Sequence, residues 1–589
     1  MARPQALQCL VLCLLIFATL SYGSVNFPQC FSEIRNGDHG LDGLTDNNGN
    51  PTTDLTRGTA VTYKRCVEVC GGGGGAFSWS SFSQQFSAWL LPWLALLSQF
   101  PFGCRERWDN FMSIFLALGS PCLAAYSLAL TILNVKWVVH RFHNVRYPNK
   151  DWAIVILSNL QHMPLKVTRS FTAAINQQDV EYPLLASLIV LPDNDAWWEK
   201  LERDLNYADP HTWSIASVSS IAWVIVAYTL TVVDAFTTVS SDPNENGQGL
   251  SGVGSIWLWM IPVTIGYLQL SPRCDANRVE EVLTEANRNS FVAGSYGSMD
   301  VPSGERAITI QRHTQHQALH ADQVATAPIY NYARFLSFVH AVEGFACAFD
   351  AATDKAHNRI PVSGGPPAWR PGDGKTVHAD NRRGNNDQIE EYCSPLPNRS
   401  HWGSGVFTRF FVAALAGLVL QWGTSGGSIV IVYYTPTVGF GCRSTAYLVY
   451  AGFATLIWIT LVVSSFLAHY AMSYRFTNSP TQPLPQTIAE QLSIFLRRVA
   501  KVGAMLNAVW ILVAFLLQFS NFYDRCYCNS DVIGLGKRAH NVMVLLAPDI
   551  SNMKAAWVGG IALAVVVTVA WWIFITLMSN PPPRPYHVA

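Results

Sequence analysis

Charge is what this chain has least of. Only 13% of its 589 residues are Asp, Glu, Lys or Arg, against about 25% in an ordinary soluble domain. The two signs balance at 39 each, so no net field exists to draw in nucleic acid. Ionisable groups are rarer still within the apolar runs. Asp234 and Arg409 stand at run ends, and Gln421 and Asn507 are merely polar. Proton- or sodium-coupled transport across such runs would call for buried carboxylates or histidines.

Complete ligand sets are also missing. Cys66 and Cys70 have the spacing of half a zinc site, but no second ligand pair follows. The 42–50 stretch puts Leu44 where a calcium loop starts with Asp. Asp373-Gly374-Lys375-Thr376 resembles the end of a phosphate loop, yet Trp369 replaces its first glycine and no strand precedes it. His313, His316 and His320 would share one face of a helix, without an acidic or Cys partner. The expectation is therefore no cofactor, no metal and no enzymatic activity.

What the chain does have is length without charge. Half its residues are hydrophobic and its mean hydropathy is +0.19. Seven apolar runs, at 111–133, 213–236, 254–270, 410–433, 445–467, 502–520 and 555–578, approach or exceed the roughly 20 residues a helix needs to cross a bilayer. The fold class expected is an all-α, polytopic transmembrane bundle. Residues 1–23 read as a signal peptide, with Arg3 before an apolar core and small residues at its end. A polar, Cys-containing luminal region follows at 24–83. Two cytosolic loops lie at 134–212 and 271–405, and a Pro-rich tail at 579–589.

The 86–102 segment, apolar but broken by Pro92 and Pro101, decides orientation. If it dips in and returns, a tally sets fifteen residues on the side of the 134–212 loop (Lys136, Arg141, Arg146, Lys150, Lys200, Arg203, Arg273, Arg278, Arg288, Arg399, Arg409, Arg475, Arg497, Arg498 and Lys501) against five on the other (Arg443, Arg525, Lys537, Arg538 and Lys554). The positive-inside rule then favours seven spans, a luminal N-terminus and a cytosolic C-terminus. If it spans, there are eight. In the first loop the Trp197–Arg203 pattern reads as an amphipathic helix on the membrane surface. In the second, 279–289 and 330–349 read as helices, and 361–386 as disordered.

Luminal Cys30 would pair with Cys66 or Cys70, and Cys442 with Cys526 or Cys528. Asn398-Arg399-Ser400, the glycosylation pattern, would face the cytosol. Gly423-Thr424-Ser425-Gly426-Gly427 fits a G-x-S-x-G nucleophile motif, but a serine needs a base in reach and the two later spans contain no histidine. Close helix packing by small residues explains the stretch better. A local helix break lining a solute path, with Gln421, Gly423, Ser425 and Gly426 exposed to it, is the alternative.

Several strings resemble a family of uncharacterised multi-pass membrane proteins of filamentous and mushroom-forming fungi: CVEVCGGGGG (66–75), FSQQFSAWLLPWLALLSQFPFG (82–103), LLASLIVLPDNDAWW (184–198), QWGTSGGSIVIVYYTPTVGFGCRS (421–444) and SNFYDRCYCNS (520–530). The resemblance implies a membrane protein without implying an activity. The reading is a receptor or scaffold of the secretory route, ending at the plasma membrane, with the lipid bilayer as partner. A transporter or channel for a small or uncharged solute is the alternative.

Overall fold

A computed structural model describes residues 25–100, 106–175, 178–206, 213–239, 242–250, 255–270, 276–295, 297–301, 305–311, 317–364, 369–372, 377–394, 402–473 and 484–578. The expected signal peptide, the Pro-rich tail, Asp373–Thr376, His313, His316 and Asn398–Ser400 lie outside the described residues, as does the side chain of His320.

Among the described residues, seven helices are long and apolar enough to cross a membrane. Six lie on expected runs: Pro121–Arg141, Ile215–Thr237, Val406–Tyr433, Cys442–Met472, Leu484–Phe519 and Ala547–Met578. The seventh is Pro328–His357, not the 254–270 run, whose described α-helix is only Met260–Leu270. We label the elements that build the bundle as follows. α1 is the continuous helical stretch 79–97, with a π-helical turn at Phe86–Leu90. α2 is Arg107–Gly119, α3 Pro121–Arg141, α4 Ile215–Thr237, α5 Met260–Leu270 and α6 Asn331–His357. α7 is Val406–Tyr433, α8 Cys442–Ser473, α9 Leu484–Phe519 and α10 Ala547–Met578.

One end of the bundle carries three disulfides: Cys30–Cys70, Cys66–Cys526 and Cys442–Cys528. Of the two partners open to Cys30, the structure chooses Cys70; of the two open to Cys442, it chooses Cys528. The third bond ties the N-terminal region to the loop before α10, and a small sheet repeats the tie. Leu44–Thr45, Ala60–Thr62 and His540–Val542 pair antiparallel in that order. Phe31, Ile34, Leu44 and Val61 fill the core of this cap.

Contacts along the helices give their direction. α7 and α9 run toward the cap, since Thr437 just beyond α7 bonds His540, and Gln518 at the end of α9 bonds Arg443. α8 and α10 run away from it, and Met578 ends beside Lys136. α1 also runs the length of the bundle: Phe82 meets Phe519 near the cap, and Gln99 just beyond α1 meets Ser217 at the far end. The 86–102 segment is thus part of a through-going element instead of a shallow dip.

The expected first span, 111–133, does not form one helix. Ser120 adopts φ −149, ψ 86, outside the helical region, and Pro121 begins the next helix. A residue before proline is pushed out of the α region, and proline suits a first helical position. α2 runs parallel to α9, from the side of Lys501 to Asn507, which bonds the Gly119 carbonyl. α3 then returns antiparallel to α7, from Gln421 past Arg409. The two form a re-entrant hairpin whose tip sits at mid-depth.

The far end is a folded layer. α6, though apolar, starts beside α3 and runs with it away from the bundle: Asn331 bonds Thr131, and Arg141 pairs with Glu343 and Asp350 at 3.0 and 2.9 Å. Trp198 is fully buried against Phe345 and Phe349. The Trp197–Arg203 pattern therefore packs into protein through its aromatic face, not onto a surface. The 361–386 stretch, expected to be disordered, supplies buried Arg382, which pairs with Asp195 at 2.6 Å and donates to the Val190 carbonyl. A guanidinium held by such partners can leave water, and that anchors the chain around it.

Candidate functional sites: the hairpin tip and the cap-end cavity

A helix end inside a bundle exposes backbone N–H and C=O groups that hydrocarbon cannot satisfy. At the hairpin tip the bundle satisfies them with side chains. Gln421 Oε1 accepts from the Cys122 N–H at 3.1 Å, while its Nε2 donates to the Ala451 carbonyl and the Thr455 hydroxyl. Asn507 Nδ2 donates to the carbonyls of Gly119 and Tyr450. Tyr450 Oη donates to the Leu118 carbonyl at 2.7 Å, and Ser120 Oγ to that of Ala454 at 2.7 Å. The two polar residues noticed in the runs thus act as clamps. A Cβ on Gly119 would stand 2.2 Å from the Ala504 carbonyl oxygen, so the tip closes directly onto α9.

The expected break at Gly423 is absent, because α7 continues from Val406 to Tyr433. The interruption lies in the partner hairpin instead. Of the residues placed on a solute path, Gln421 clamps the tip and Gly423 faces Val567 of α10. Gly427 makes the closest approach, since a Cβ there would meet the Gly560 carbonyl at 2.5 Å. Gly426 has open space where a side chain would go, so it is not a packing contact. Ser425 is buried and its hydroxyl has no hydrogen-bond partner among the described residues. Its neighbours Thr424 and Ser428 both bond back to carbonyls one turn earlier.

Near the cap lies a second site that sequence reasoning passed over. A cavity of about 20 Å³ is lined by Gln248, Thr437, Gly441, Arg443, Ser444 and Asp531, among others. Arg443 binds Gln518, Asn529 and Asp524 through three different nitrogens, at 2.9, 3.0 and 2.6 Å. Asp531 holds a left-handed φ of +47, unusual for a residue with a side chain. Burial pushes its carboxyl up to about 8 despite the nearby Arg443 charge. Burial also raises Asp242 and Glu245 on the facing segment. The sequence signal was slight: an Asp shortly after the paired-cysteine string, with its cradle some 90 residues earlier.

Compared with known proteins, the chain matches no family model, no curated protein and no solved structure.

Proposed function

We propose that this is an integral membrane protein of the receptor or scaffold kind, akin to the fungal multi-pass proteins its strings resemble, with its cap outside the cytosol. The flanks of the bundle support the membrane setting. Leu230, Phe411, Leu415, Leu456, Leu506, Val566 and Leu577 are all more than half exposed, an arrangement that water penalises and lipid accepts. The observation that carries the receptor or scaffold reading is the filled centre. The polar groups of the hairpin tip are met by Gln421, Asn507, Tyr450 and Ser120, and no described cavity is lined by Gln421 or Ser425. A protein built this way links a stapled cap to a folded far-end layer, as a receptor or scaffold would.

A transporter or channel is the second reading, favoured by the unpartnered Ser425 hydroxyl and by a discontinuous helix pair at mid-depth, the device that secondary transporters use. One experiment separates the two. With Ser425→Cys in the full chain, a small charged thiol reagent is applied from either side of sealed vesicles. The filled bundle leaves the thiol unmodified from both sides. Rapid modification from either side means a water path and overturns the receptor or scaffold reading.

A further inference from the structure

We propose that the groove on the seam between the cap and the α7–α10 face is a lateral binding site for a membrane lipid with an uncharged, polyhydroxyl head. This site rests on the membrane setting proposed for the chain and adds to it the chemistry of one lipid. A cavity of about 670 Å³ opens at the seam, within the roughly 300–1,000 Å³ of sites that take small molecules. Its walls have two characters. Val430, Val438, Ala555 and Gly559 are apolar or small and belong to α7, the turn after it and α10, while Asn47, Asn48 and Asp549 belong to the cap and the start of α10. Tyr434, 43% exposed, also lines the groove, and a tyrosine is satisfied at headgroup depth, where its ring meets lipid and its tip meets water. The face below is open as well. Gly426, one helical turn deeper than Val430, and Gly559 both have free space where a side chain would go, and Val558 and Leu563 on α10 are exposed. An acyl chain laid along that face would bury apolar surface that the protein leaves uncovered.

The polar groups left free select the head. Asn47 is engaged within the cap, its Nδ2 donating to the Val544 carbonyl and to Asp549 Oδ2 at 2.9 and 2.6 Å, and its Oδ1 accepting from Thr59. Both ring nitrogens of His540 are directed at the Arg538 and Asn47 carbonyls. Asp549 Oδ1 and the side-chain amides of Asn48 and Asn552 also belong to the walls, and among the described residues they make no hydrogen bond. Two amides and a carboxylate oxygen donate and accept together, which matches neighbouring hydroxyls, since each of those does both. The single hydroxyl of a sterol would leave most of the set unmatched. Among the described residues no Lys or Arg lines the groove, so a phosphate head would meet the Asp549 carboxylate without a cation to offset the repulsion.

The test places the full chain in phosphatidylcholine nanodiscs with a diazirine-bearing monoacylglycerol as photoprobe and maps the labelled peptides by mass spectrometry. Saturable labelling is expected on 430–438 and 555–559, displaced by unlabelled monooleoylglycerol and not by phosphatidylserine, cholesterol or oleylamine. Gly559→Leu, which projects into open space, is expected to enter the disc normally and abolish the seam labelling. Asn552→Ala is expected to weaken it roughly 3- to 10-fold, the loss of one hydrogen-bonding partner. Should Gly559→Leu not fold, Asn552→Ala and the competition on the unsubstituted chain decide the matter. Labelling that does not saturate, that survives both substitutions, or that yields equally to one of the other three lipids overturns the proposal. A chain that enters the disc without saturable seam labelling overturns this site alone. A chain that stays monodisperse without detergent and does not enter the disc overturns the membrane setting and the site with it.

Discussion

Asp531 carries the clearest consequence at the scale of single residues. Its carboxyl is held near 8 when folded, against an ordinary value of 3.8, so between those limits the folded chain keeps a proton that the unfolded chain has lost. Stability from this group is fully present below about pH 4 and is lost as pH rises through about 8. In choline buffers, Asp531→Asn should flatten the fall in unfolding midpoint between pH 6 and pH 9. An unchanged slope would show that the carboxyl is not buried as described. Gln421 makes the opposite kind of prediction. Gln421→Leu keeps the volume but orphans the Cys122 N–H at the hairpin tip, a loss of ~1–3 kcal/mol. It should lower the midpoint and the monodisperse yield, whereas Ser425→Ala, which removes an unpartnered hydroxyl, should leave both intact. Gln421 and Asn507 were visible in the sequence as polar residues in apolar runs. Their partners were not, because Cys122 and Gly119 lie 299 and 388 positions away.

Elements were legible where one local signal dominated. Six of the long apolar helices follow from hydropathy alone, and the helical stretches read at 279–289 and 330–349 fall on Ala276–Arg288 and Asn331–His357. The 111–133 run misled because hydropathy integrates over a window, while Gly119-Ser120-Pro121 breaks the backbone at one point. That tripeptide was the available clue. α6, read as a helix of the second loop, is apolar enough to cross a membrane, yet its aromatic residues meet Trp198 and Phe142 in a protein layer, and composition cannot distinguish protein from lipid as the neighbour. Contact between α7 and α10 gives the test at this scale. Gly427→Leu would drive a side chain into the Gly560 carbonyl and should separate the helices, collapsing yield. Gly426→Leu projects into open space and should express normally. Equal loss from both would mean that α7 is rotated from the described position.

For the whole molecule, the hairpin changes the chain path on which the expected sidedness was argued. The positive-inside count assumed that 86–102 returns and 111–133 crosses. The structure exchanges the two roles, since α1 runs from the cap to the far end and α2–α3 enters and leaves at that far end. Either way Arg141 and the end of α10 share a side, and Lys136 beside Met578 fixes them there. If the far end faces the cytosol, as proposed, its basic residues satisfy the charge rule. Two single-cysteine positions test this arrangement, Thr56→Cys in the cap and Asn144→Cys just after α3, both exposed. In intact cells a membrane-impermeant maleimide should label Thr56→Cys and reach Asn144→Cys only after permeabilisation, with a glycan acceptor added at the C-terminus left unmodified. If 111–133 crossed while α1 also did, residue 144 would lie on the cap side. Labelling of Asn144→Cys in intact cells would then remove the hairpin, and with it the reason for the clamps at Gln421 and Asn507.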